Sequence, residues 1–194
     1  MSVYAYQITA DSGCDLSLEK CAERGVMPYK MPFTMDGKPM TDGMTEESFR
    51  QFYEMMRAGR IARTSQINPG EFIDFWRPLA EAGEDVLHVS LAAAISGSCD
   101  NARSAAAVLM EEYPGWTCRV VDSANASAGF GLMVLRAVNN RGGGLDLEAN
   151  ARELEGVAHN VNSIFTTNDL TYLYRGGRVS RTAAAFGTAL NIVP

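Results

Sequence analysis

Short apolar runs alternate along this chain with amphipathic helical stretches, and short polar loops separate them. Asp85-Val86-Leu87-His88-Val89-Ser90-Leu91 is an apolar run of strand length, followed after a Ser-Gly-Ser loop by a helical stretch from Ser98 to Met110. Arg119-Val120-Val121-Asp122 repeats the pattern and leads through Ser123–Ser127 into a helix over Phe130–Asn140. This alternation predicts parallel βαβ units, because parallel strands need a crossover and a helix is the usual one. The predicted fold is therefore α/β: a layered, parallel-rich sheet flanked by helices.

The remaining segments fit that frame. Tyr4–Thr9 predicts a first strand, and a short helix follows with Asp15 or Ser17 as its cap and Gly25 just past its end. Val26–Met35 predicts an extended segment closed by a hairpin turn at Asp36-Gly37. Thr45 caps a helix carrying Phe49, Phe52, Tyr53 and Met56 on one face. Asn68-Pro69-Gly70 opens another with Phe72, Phe75, Trp76, Leu79 and Ala80, and Gly83 ends it. A further helix is predicted over Leu147–Asn160, then a strand over Ser163–Thr167. Residues 1–160 are expected to form an N-terminal α/β domain. Residues 161–194 are expected to begin a second α/β domain, cut short at Pro194.

Composition narrows the function classes. With 46% hydrophobic and 21% charged residues the chain can bury a substantial core. Ten methionines suit irregular apolar space, in the core or around a cavity. A net charge of −6 argues against a nucleic-acid partner, which would need a basic surface. Cys14, Cys21, Cys99 and Cys118 show neither a CxxC pair nor a histidine at metal-ligand spacing. Without a secretory leader or a membrane-length apolar run, free thiols predict a cytoplasmic protein.

In open α/β sheets, ligands bind beyond the carboxyl ends of the strands. Three loops there carry hydroxyls, Asp11-Ser12, Ser96-Gly97-Ser98, and Asp122-Ser123 running on to Ser127, and a fourth hydroxyl-bearing loop, Thr64-Ser65, stands directly before the Asn68-Pro69-Gly70 turn. Ser96-Gly97-Ser98 precedes a helix whose first amides and dipole attract an anion, and Gly97 permits close approach. The same serines could equally serve as a helix cap, and Thr64-Ser65 as ordinary turn residues. A Ser-His-Asp hydrolase finds little support, because no G-x-S-x-G surrounds a serine and the only histidines are His88 and His159. Asp11 could serve a phosphatase-like enzyme, yet the second aspartate expected two residues on is Gly13. Arg175-Gly176-Gly177-Arg178 could clamp an anion, dock a partner or form a solvated turn.

Taken together, the segments resemble the DegV family of bacterial proteins. The matching stretches are Ile8–Leu16, Thr64-Ser65-Gln66 through Phe72, Ile95–Ser98, Val121–Ser123, Ser127–Gly131, Leu173–Ser180 and Gly187–Pro194. The resemblance implies a two-domain protein that binds one long-chain fatty acid and has no catalytic residues or cofactor of its own. It presents the carboxylate to a separate fatty acid kinase, which forms an acyl-phosphate for phospholipid synthesis, and it can touch membranes transiently. By motif, Thr64, Ser65, Ser96, Gly97 and Ser98 are expected to contact the ligand, with Asp11, Ser12 and Ser127 beside them. Arg178 is expected on the kinase-facing surface. Departures from the family pattern are Ala92-Ala93 before the Ser-Gly motif and Ser98-Cys99 after it. The family continues past Pro194, where a histidine is thought to complete the head-group site. The alternative is a small hydrolase or phosphatase using Asp11 or Ser96.

Overall fold

The computed structural model describes residues 4–166, 170–177, 179 and 180. The chain divides into two compact units, Met1–Asn162 and Ser163–Pro194. In the first, strands β1 (Gln7–Asp11), β2 (Val26–Tyr29), β6 (Val86–Ser90) and β7 (Cys118–Asp122) form a parallel sheet in the order β2-β1-β6-β7. This is the α/β architecture expected from the alternation of strands and helices.

Side chains alternate across the sheet and create two cores. Ile8, Ala10, Leu87, Val89 and Val121 face helices α1 (Leu18–Glu23), α5 (Ser127–Gly142) and α6 (Leu147–Val157), where Cys21, Phe130, Met133, Ala137 and Leu154 are buried. Val86 and Cys118 face α3 (Pro69–Glu81) and α4 (Ser98–Glu112), where Phe72, Trp76, Ala102, Ala105 and Leu109 are buried. All five β6 residues are buried, as a central parallel strand covered on both faces requires. His88 lies on the second face, its Nδ1 3.0 Å from the Thr9 hydroxyl and its ring edge-on to Phe72 and Trp76. Burial pushes its imidazole pKa down to about 3, so it is neutral at pH 7.

Local signals set most boundaries. Ser17 caps α1 by accepting from the Lys20 N–H. Thr45 with Ser48, and Asn68 with Glu71, form reciprocal capping boxes at α2 (Glu46–Arg57) and α3. Asp36 and Gly37 both have positive φ, 51° and 79°, and join β3 (Pro32–Met35) to β4 (Lys38–Thr41) as a tight hairpin.

Several elements differ from expectation: the extended segment Val26–Met35 is two strands in different sheets, β2 and β3, α5 begins at Ser127 and not Phe130, and α6 ends at Val157 and not Asn160. The first strand starts at Gln7, not Tyr4, and the Tyr6 carbonyl just before it accepts from the Arg141 guanidinium at 3.2 Å. A short strand β5 (Ala62–Thr64) pairs with β3, giving a second, antiparallel sheet of order β4-β3-β5. Ser163–Thr166 form no strand, and Ile164 and Phe165 are 97% and 70% exposed; Thr167 lies outside the described residues. Within the second unit, α7 (Thr171–Arg175) ends at Gly176, and the Val179 N–H turns back to the Leu173 carbonyl.

The order of strands places a topological switch between β1 and β6. From β1 the chain moves outward to β2, then returns on the other side of β1 to build β6 and β7. Asp11 joins the two loops that part there. Its carboxylate accepts from the Gly13 N–H at 3.1 Å and from the Leu91 N–H at 3.0 Å. The side chain is fully buried, and desolvation outweighs those two donors, raising its pKa to about 6. The turn Ser12–Cys14 that follows is pressed against α5. A Cβ on Gly131 would stand 2.4 Å from the Cys14 carbonyl oxygen.

Two outcomes follow from this packing. Because the folded pKa of Asp11 exceeds its unfolded value, the folded state binds the extra proton between about pH 4 and 6. Its contribution to stability is therefore full below pH 4 and lost as pH rises through 6, by about 3 kcal/mol in all. Urea midpoints of the chain and of Asp11→Asn, taken from pH 4 to 7.5, should shift against the parent as pH rises; a pH-independent difference would refute the assignment. Gly131→Ala, which puts a methyl into backbone, should cost about 1–3 kcal/mol by the same measurement.

Candidate functional site

The small antiparallel sheet stands beyond the carboxyl ends of β1 and β2. The chain runs from β2 directly into β3, and the Met31 N–H donates to the Ser12 hydroxyl at 3.1 Å. Helix α2 leaves β4 through the loop Asp42–Met44 and lies beside β3, with Phe52 edge-on to Phe33 at 5.4 Å between ring centres. Helix α2 has the apolar face expected from its spacing, yet none of its residues is buried. That face lines a cavity instead.

The cavity has a volume of about 300 Å³. Its apolar wall comes from Met31 and Phe33 below, Met40 on β4, and Phe49, Phe52 and Met55 on α2. Ser12 and Gly13 close it toward the main sheet, and Thr64 lies in the wall at the end of β5. Phe49, Tyr53 and Thr64 remain exposed, so the cavity opens to solvent. Its size is at the lower end for sites that bury a small organic ligand.

The polar groups of the wall are unequally available. Ser12 is buried and accepts from Met31, leaving its hydroxyl proton free to donate. The Thr64 hydroxyl has no partner among the described residues, and β5 presents it beside Phe33, its pairing partner on β3. Two carboxylates also reach the wall. Asp42 accepts from the Met44 N–H at 2.9 Å, and Asp15 accepts from the Ser127 hydroxyl. Asp15, Met44 and Ser127 all hold positive φ, at 54°, 54° and 52°. Such strain costs about 1–3 kcal/mol per residue and is concentrated around binding sites.

The Ser96-Gly97-Ser98 loop does not line this cavity. Ser98 is fully buried at the start of α4, and its hydroxyl accepts from the Ile67 N–H at 3.0 Å and from the Ser96 hydroxyl at 2.9 Å. A Cβ on Gly97 would stand 2.1 Å from the Gln66 side-chain oxygen, so the glycine makes room for that amide. The structure thus brings Thr64-Ser65 and Ser96–Ser98 together through residues 66 and 67. Ser65 itself is exposed and outside the wall. Asp11 lies beneath the site and Ser127 reaches it only through Asp15. Arg178 lies outside the described residues.

Sequence reasoning found the hydroxyls and missed the apolar wall. Met31 lies in the link between β2 and β3, and Phe33, Met40, Phe52 and Met55 come from three elements with no common period; the signals were the apolar face of α2 and the excess of methionine. The four cysteines are free and buried, and burial raises the thiol pKa of Cys99 and Cys118. Among the described residues no group of three or more His, Cys, Asp or Glu side chains converges as a metal site. No helix among them is long and apolar enough to cross a membrane.

Comparison with known proteins bears on the whole chain. A DegV domain-containing protein, YteA, of Lactococcus lactis is 31% identical over 97% of this chain and 66% of its own length. Another from Deinococcus radiodurans is 34% identical over 96% of this chain and 65% of its own length. This chain thus spans just under two thirds of these relatives. Among solved structures, a fatty acid binding DegV family protein from Thermus thermophilus superposes with a TM-score of 0.78 at 31% identity, covering 98% of this chain and 66% of that one. A stearic acid-binding protein from Eubacterium ventriosum gives a TM-score of 0.80 at 26% identity, over 97% and 65%. The DegV family model matches residues 5–194, and by that match the chain belongs to the DegV family.

Proposed function

We propose that this chain binds a long-chain fatty acid and presents its carboxylate to a partner kinase for acyl-phosphate formation, without catalytic residues of its own. The observation that carries this reading is the cavity, with an apolar wall of Met and Phe side chains and a free hydroxyl, Thr64, at an open side. Relatives that bind fatty acids lend it support.

Electrostatics orients the ligand. Asp42 follows β4 and Thr64 ends β5, at opposite edges of the three-stranded sheet. Two strand spacings, about 10 Å, separate those edges. Asp15 and Asp42 repel an anionic head, so the carboxylate belongs at Thr64, and the Ser96–Gly97 loop supports that end through Gln66 and Ile67. The tail then runs along Phe33, Met40, Phe52 and Met55. Each methylene removed from water contributes about 0.8 kcal/mol, whereas a hydrogen bond to a charged group contributes about 1.5–3 kcal/mol and displaces water. The tail therefore sets affinity and the hydroxyls set orientation. A hydrolase or phosphatase is disfavoured because the Asp11 carboxylate and the Ser96 hydroxyl are held by neighbouring loop groups.

Organic extraction of the purified chain should release a fatty acid. In titrations with saturated acids of increasing length, affinity should rise about fourfold per methylene until the cavity is filled. Thr64→Ala should reduce acyl-phosphate formation with added kinase at least tenfold while weakening binding less than threefold. No retained lipid, together with affinity independent of chain length, would overturn the proposal.

A further inference from the structure

Thr64 is held from both sides. On its N-terminal side, β5 is fixed to β3 by the pairs Met35–Ala62, Thr34–Arg63 and Phe33–Thr64. On its C-terminal side, only Ser65 and Gln66 separate it from Ile67, which is fully buried. Both backbone groups of Ile67 are taken by side chains from the first turn of α4. The Ser98 hydroxyl accepts its N–H at 3.0 Å, and the Asn101 side-chain amide donates to its carbonyl at 2.8 Å. Ser98 is itself fixed: its hydroxyl takes the Ser96 hydroxyl proton, and its N–H donates to the Ser96 oxygen at 3.2 Å. The Gln66 side chain fills the space left by the missing Cβ of Gly97.

Ile67 is gripped through both peptide units that flank it, the 66–67 unit at its N–H and the 67–68 unit at its C=O, so the residue cannot be displaced without loss of both hydrogen bonds. Each buried group left unpaired is costly, which makes the grip close to all-or-none. The grip also joins the small sheet, which bears the cavity, to the main sheet, which bears α4. Displacement of the Ile67 peptide would be passed through two residues to the Thr64 hydroxyl.

We infer that Ser98 and Asn101 are positioning residues that hold the Ile67 peptide and thereby aim the Thr64 hydroxyl, setting the preference of the cavity for a carboxylate over a neutral head group. The inference rests on the fatty-acid reading of the cavity. Neither side chain needs to touch the ligand. Selectivity arises because a donor fixed in direction rewards a charged acceptor more than a freely rotating one does.

The test uses the chain with stearate and octadecanol as probes, which share a tail and differ in the head. Asn101→Ala, at a half-buried position, should weaken stearate binding about five- to tenfold and octadecanol binding less than twofold. In a double-mutant cycle, Asn101→Ala should add nothing to the loss of selectivity caused by Thr64→Ala, because it acts through that residue. Amide hydrogen exchange at residues 64–67, measured without lipid, should accelerate in Asn101→Ala. Ser98→Ala should repeat all three results. Additive losses in the cycle, equal losses for both probes, or unchanged exchange at residues 64–67 would each overturn the inference. A parent chain that binds neither probe would overturn the fatty-acid reading and this inference with it; unchanged exchange alone would overturn only the latter.

Discussion

The buried carboxylate of Asp11 is the constraint around which the site is arranged. At the point where the sheet divides, the loops after β1 and β6 separate, and their backbone amides would be left without partners. One carboxylate, accepting from Gly13 and Leu91, satisfies both loops and draws them together. The arrangement is expensive for the acid, as its raised pKa records, and it leaves the Ser12–Cys14 turn with little freedom. That turn in turn directs Ser12 toward Met31 and seats the small antiparallel sheet over the strand ends.

A division of labour among the hydroxyls emerges. The four loops look alike as strings of Ser, Thr, Gly and Asp, but their side chains are engaged differently. Ser98 and Ser96 spend their bonding capacity on one another and on Ile67. Ser127 is spent on Asp15. Among the described residues the Thr64 hydroxyl and the Ser12 proton have no partner. The groups suited to a ligand are the ones the protein has not already used.

The same distinction explains what could be read from the sequence. Strand–helix alternation, the caps at Ser17, Thr45 and Asn68, and the Asp36-Gly37 hairpin depend on nearest neighbours, so the chain order displays them. The Arg141 hydrogen bond to the Tyr6 carbonyl, just before β1, joins residues more than a hundred positions apart and could not be seen. Strand β5 is three residues long and takes its identity from pairing with β3. The hydroxyls of the site were found because they sit in recognisable loops. The cavity wall was not, because Met31, Phe33, Met40, Phe52 and Met55 converge only once the small sheet and α2 are folded together. For α2 the sequence pattern was right about the apolar face and silent about what it faces.

Helix α2 has a further consequence. An amphipathic helix ordinarily gains its stability by pressing its apolar side into a core. Here none of its residues is buried, and that side borders an open cavity. Its free energy of folding is thus incomplete until something apolar occupies the space. In the proposed reading, an acyl tail that fills that space supplies the apolar contact the helix face lacks, and occupancy is thereby coupled to the order of residues 46–57.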